Sequence, residues 1–77
     1  MKVDDMLMNV GYTAVIKQDA GWWIGWVEEV PGVNAQEQTR EELLESLKEA
    51  LNDILELNRE SARSEMGGDF EEVLISA

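Results

Sequence analysis

The sequence contains no cysteine and no histidine. Disulfides and thiolate metal sites are therefore excluded. A nucleophile activated by an imidazole is excluded as well. Any bound metal would have to rest on oxygen ligands alone. Cations are also scarce: 6 Lys and Arg stand against 17 Asp and Glu, for a net charge of -11. Such a surface repels a free phosphate chain, because nucleic-acid binding works by protein cations displacing counterions. No apolar run approaches the ~18 residues that span a bilayer. The start of the chain, Met1-Lys2-Val3-Asp4-Asp5, lacks a signal-peptide core. A cytoplasmic protein with no direct nucleic-acid binding and no membrane association is expected.

What is present fits one domain over residues 1–77. A chain this short buries a modest share of its surface and often leans on disulfides, a metal or self-association. With the first ruled out, self-association is the expected support. The acidity serves solubility, or it steers the protein towards a basic partner.

Two stretches are rich in β-branched and aromatic residues, Gly11–Gln18 and Trp22–Val27. Asp19-Ala20-Gly21 lies between them. Gly21 suits the left-handed position that closes a three-residue hairpin loop. That loop predicts Gln18 opposite Trp22, Ile16 opposite Ile24 and Ala14 opposite Trp26. Alternation then gathers Tyr12, Ala14, Ile16, Trp22, Ile24 and Trp26 on one face. Thr13, Val15, Trp23, Gly25 and Val27 fall on the other, with Lys17 near the turn. Both faces are largely apolar, and a single helix can cover only one. Residues 1–10 show no firm periodicity, and part of them is expected to extend the first strand.

Pro31-Gly32 suits the centre of a type II turn. Val33–Gln38 reads as a short, polar edge strand. Thr39-Arg40-Glu41-Glu42 fits a capping box, with acidic residues at the positive end of the helix dipole. Leu43, Leu44, Leu47, Ala50, Leu51, Ile54, Leu55 and Leu57 form one apolar arc. The helix is placed over Thr39–Ser61. Gly67-Gly68 breaks the chain, and Phe70–Ile75 reads as a last strand. The expected fold class is α+β in the order β-β-β-α-β, with a right-handed crossover into the final strand.

Catalytic chemistry finds little support. Ser46, Ser61, Ser64 and Ser76 have no identifiable base beside them. The acidic pairs Asp4/Asp5, Glu28/Glu29, Glu41/Glu42 and Glu71/Glu72 are adjacent in sequence, so their members do not face one another on a strand or helix. Asp19, Asp53 and Asp69 share no cluster, and no calcium-loop or phosphate-cradling motif occurs. No catalytic, cofactor or metal site is assigned, and no cofactor is expected. A residual metal-dependent nuclease would need three or four carboxylates converging on one point. The tryptophans carry more information. Trp22 and Trp23 point to opposite faces, so one belongs to the core and the other to an interface, where Trp is enriched in energetic hot spots. Trp22, Trp23, Trp26 and Tyr12 are the candidate partner or oligomer interface.

From Tyr12 to Asn58 the chain resembles the HicB-like antitoxin family. The resemblance is carried by Tyr12-Thr13-Ala14-Val15-Ile16, Gly21-Trp22-Trp23-Ile24-Gly25-Trp26-Val27, Pro31-Gly32, and Thr39-Arg40-Glu41-Glu42-Leu43 opening a helix that contains Lys48-Glu49-Ala50. It departs at Glu37-Gln38, where the family often has Gly-Asp. The resemblance implies a partial RNase H-like fold, a small mixed sheet of order 3-2-1-4 with the helix on one face, and lost nuclease chemistry. It further implies an antitoxin that self-associates and neutralises a small basic RNA-cleaving toxin of the HicA type by covering its active surface. No carboxy-terminal DNA-binding extension is expected, since the chain ends at Ala77. The other reading is an orphan homo-oligomeric module, regulatory or structural, without a toxin.

Overall fold

The computed structural model describes residues 11–75. Its elements are β1 (Ala14–Asp19), β2 (Trp22–Val27), β3 (Asn34–Glu37) and α1 (Arg40–Met66). The three strands form one antiparallel sheet in the order β1-β2-β3. The helix packs on one face of it. The α+β class and the sequence of three strands followed by a long helix match expectation.

The hairpin does not. Its turn is the two-residue Ala20-Gly21, with φ of 53° and 86°. Paired positive φ values are those of a type I′ turn, whose twist suits the flanking strands. Asp19 leaves the loop and pairs with Trp22, followed by Gln18 with Trp23, Ile16 with Gly25 and Ala14 with Val27. The register is one residue away from the expected one. Because side chains alternate with period two, that single step exchanges the faces on which β1 and β2 meet. Ala20 accepts a left-handed conformation, normally costly for a residue with a Cβ. In return the ladder gains a pair.

The shift also explains Gly25. A Cβ there would stand 2.8 Å from Ile16 Cγ2 and 2.8 Å from the Val15 carbonyl oxygen. Ile16 leans into the space that glycine leaves. Large and small residues thus interlock across the hairpin on the helix side.

The core is small. Val27, Val33, Leu43 and Leu47 are buried, with Ala14, Ile16, Trp23, Val30, Ala35, Ala50, Leu51 and Ile54 packed around them. Each fully buried aliphatic side chain contributes roughly 1.5–3 kcal/mol. Val33 enters this core from the turn before β3. The Val33 N–H donates to the Val30 carbonyl at 3.4 Å, across Pro31-Gly32 with Gly32 at φ 92°. This is the expected turn, and the Val27 N–H to Val33 carbonyl bond of 3.0 Å closes it onto β2.

Thr39 caps α1 as its sequence predicts: its Oγ1 accepts from the Glu42 N–H at 3.1 Å. Glu41 and Glu42 occupy the first turn. A further tie joins helix to sheet, where Ser46 Oγ donates to Glu37 Oε2 at 2.6 Å. The helix runs five residues past the expected end at Ser61, to Met66. Nothing from Ala62 to Met66 breaks a helix, and the stop comes at Gly67, whose N–H donates to the Arg63 carbonyl at 3.1 Å.

The fourth strand is the main correction. Phe70–Ile75 carries no regular secondary structure and joins no ladder. The sheet over the described residues is three-stranded and wholly antiparallel, not a mixed sheet of order 3-2-1-4, and no crossover is formed. Helix length gives the physical reason. A helix of 27 residues is about 40 Å long, and a six-residue strand about 20 Å. From Glu56 onward α1 is exposed except for a half-buried Arg63, so it delivers the tail away from the sheet. The expected extension of the first strand into residues 1–10 lies outside the described residues.

Candidate interaction surface

The four residues assigned to an interface divide among three places. Trp23 shares its face with Ala14, Ile16 and Val27, and it is half-buried against the core under α1. Trp22 and Trp26 point the other way, with 40% and 54% of their surface exposed. Tyr12 is exposed on the helix side, at the mouth of a groove beside β1. Two of the four therefore form a surface together, and the other two do not join it.

That surface is the sheet face opposite the helix. Alternation places Val15 and Lys17 of β1, Trp22, Ile24 and Trp26 of β2, and Asn34 and Gln36 of β3 there. Its centre is a depression of about 260 Å³ lined by Val15, Ile16, Lys17, Ile24, Gly25 and Trp26. A broader open hollow of about 780 Å³ runs from Trp26 along Pro31, Gly32 and Asn34 to Gln36. The indole rings lie flanked by aliphatic and amide groups. Such a face suits another protein better than a small anionic ligand.

Charge is distributed to match. The exposed side of α1 carries Glu41, Glu45, Glu49, Asp53 and Glu56. The outer sheet face carries fewer acids, with Asp19 and Glu28 at its rim and Lys17 within it. Acidic residues do not converge: among the described residues no group of three carboxylates could hold a metal ion. Glu29, next to Glu28, has a structural task. Its Oε1 accepts the Thr13 N–H at 2.8 Å. That bond holds the Glu29 carboxyl below the usual glutamate range.

One feature escaped the sequence reading. The groove at Tyr12 holds about 200 Å³ and is lined by Tyr12, Ala14, Val27, Leu44, Leu47, Lys48 and Leu51. It lies between α1 and the start of β1, where Ala14 pairs with Val27. Leu44 sits at the margin of the apolar arc, which was the one available sign of an apolar groove on this side.

The profile of a domain family of unknown function, DUF1902, matches residues 12–72. The chain belongs to that family. No curated protein and no solved structure matches it. The DUF1902 match begins at Tyr12 and covers all three strands, the whole of α1 and the turn at Gly67-Gly68. Both the outer sheet face and the groove beside β1 thus lie within the DUF1902 domain. Among the described residues no helix is long and apolar enough to cross a membrane.

Proposed function

We propose that this DUF1902 protein is an antitoxin-type binding module acting in the cytoplasm. It presents the outer sheet face to a small basic RNA-cleaving protein of the HicA type and masks that protein's active surface. One observation carries the reading. Trp22 and Trp26 are held half-exposed on a sheet face that the chain's own helix does not cover. Leaving two indoles in water is costly, and a rigid aromatic pair is the usual anchor of a protein interface. The net charge of -11 draws a basic partner and speeds its encounter. The absence of histidine and cysteine favours masking over catalysis. The same reading takes the sheet as part of an RNase H-like fold of order 3-2-1-4, with Phe70–Ile75 adding beside β1 on assembly.

The test is to mix the protein with the product of the adjacent reading frame, and to measure complex formation and RNA cleavage. The wild type should bind and suppress cleavage. The double variant Trp22→Ala/Trp26→Ala should bind about 30-fold more weakly or worse, with its melting temperature close to the wild type. If no small basic neighbour forms a complex, or if the double variant binds as well as the wild type, the reading fails. A second reading, an orphan homo-oligomeric module without a toxin, is favoured by the groove beside β1 and by the exposed apolar tail described next.

A further inference from the structure

The tail Phe70–Ile75 exposes an unusual amount of apolar surface. Val73 is 68% exposed, Leu74 86% and Ile75 85%. Its composition is that of a strand, alternating as Phe70, Glu72, Leu74 on one side and Glu71, Val73, Ile75 on the other. Among the described residues β1 pairs only with β2. Its far edge therefore offers backbone groups of the kind that recruit another strand. The groove of Tyr12, Leu44 and Leu51 opens at the start of that strand, where Ala14 lines it.

The charges also correspond. Lys17 flanks the β1 edge on the outer face, and Lys48 flanks it on the helix side. The tail's only charges in Phe70–Ile75 are Glu71 and Glu72. Being adjacent, they point to opposite sides of a strand. A tail laid along β1 sets one carboxylate on each lysine's side, and sets Val73 and Ile75, or Phe70 and Leu74, into the groove.

We propose that two copies of this protein exchange their tails, each Phe70–Ile75 adding as a fourth strand to the β1 edge of the other. This rests on the reading of Phe70–Ile75 as a strand former, and it names the second copy as the source of that strand. Length favours the second copy. The helix past Leu55 carries the chain about 17 Å beyond its last half-buried apolar residue. The nine residues Gly67–Ile75 reach at most about 30 Å. More than half of that is spent on the return, so a chain pairing with itself would form only a stub of ladder. A second copy has no such constraint. In the single chain the tail is tied down only lightly: Arg63 Nε donates to Glu72 Oε2 at 2.9 Å, with the Arg63 side chain partly and the Glu72 side chain largely exposed. Such a pair releases easily.

Charge exchange tests this without truncating the chain. One full-length variant carries Lys17→Glu and Lys48→Glu, and the other carries Glu71→Lys and Glu72→Lys. Sedimentation reads the mass of each alone and of the equimolar mixture, and far-ultraviolet circular dichroism checks that each is folded. The wild type should be a dimer. Each variant alone should dissociate about tenfold more readily or worse, because edge and tail then carry like charge. Their mixture should regain the dimer, since each edge again meets an opposite tail. Bulk repulsion alone predicts the reverse for the tail variant, which is less acidic than the wild type. A monomeric wild type overturns the proposal, and so do variants that dimerise like the wild type. If both variants are monomeric and stay so when mixed, exchange is overturned, and pairing within one chain survives as the account of the strand. Lys17 belongs to the tryptophan surface, but Lys48, Glu71 and Glu72 lie off it. The tail variant therefore leaves that surface intact, and its binding to the neighbouring product tests the partner-binding reading separately.

Discussion

The helix-covered face and the outer face of the sheet are made from the same three strands, yet they are finished differently. Under α1 the chain interlocks small and large residues: Gly25 beneath Ile16, Ala14 across from Val27, Ala35 beside Leu43 and Leu47 at the centre. On the other side it sets Trp22, Ile24 and Trp26 in a row, without a cover among the described residues. Trp23 and Trp26 show the contrast within one strand. Trp23 adds to the packing of the monomer, while Trp26 keeps most of its ring in water. Size and apolarity alike can serve folding or recognition. What separates the two uses is the face to which alternation assigns them.

The sharpest way to break this comparison is to truncate one residue on each face. Leu43 is wholly buried, and Leu43→Ala should cost about 2–5 kcal/mol by urea denaturation. For a domain of this size that is a large share of its stability. Trp26→Ser should change folding stability by about 0.5 kcal/mol or less while weakening partner binding. Equal losses of stability at both sites would end the distinction between the faces.

Gly25→Ala tests the interlock itself. The added methyl would overlap Ile16 Cγ2 and the Val15 carbonyl, and the backbone oxygen cannot turn aside. A loss of about 1–3 kcal/mol is expected, and Ile16→Val should not recover it, because valine keeps the Cγ2 that the added methyl meets. A neutral Gly25→Ala would show that the hairpin has slack there.

Thr39→Ala removes the oxygen that accepts the Glu42 N–H. Loss of an N-cap costs about 1 kcal/mol, visible as a lower melting temperature with no change at the outer face. The smallest effect concerns Glu29. Its carboxyl titrates below its ordinary value because it accepts the Thr13 N–H. A depressed folded-state value adds stability that is fully present above the ordinary glutamate pKa of about 4.3. That stability is lost as pH falls through the lowered value. Melting temperatures of the wild type should therefore drop slightly more than those of Glu29→Gln on acidification below that point. Parallel curves would show that the bond has no bearing on folding.

Much of this architecture was legible in local chemistry. Thr39 and Glu42 announced the start of the helix, Pro31-Gly32 the turn, and the leucine spacing the buried stripe. The hairpin register was not legible, because Gly21 can close a two-residue or a three-residue loop. The choice was settled by how Ile16 sits over Gly25, a contact between strands. The grouping of the candidate interface residues was not legible in composition. Tyr12 and Trp23 share the helix side, and only the ladder sorts them from Trp22 and Trp26. The helix end was misplaced because no residue before Gly67 forbids continuation.

By itself the amino-acid order determined the two hairpin strands, the Pro31-Gly32 turn and the start of the helix, since those choices depend on neighbours within a few residues. It also determined that the surface is acidic and that one helix faces two apolar sides. The tertiary structure alone decided which side the helix covers, and that the last segment lies free of the sheet. Those outcomes follow from the register of one strand on another and from the excess of helix length over strand length. Both are relations between distant parts of the chain, and no local pattern carries them.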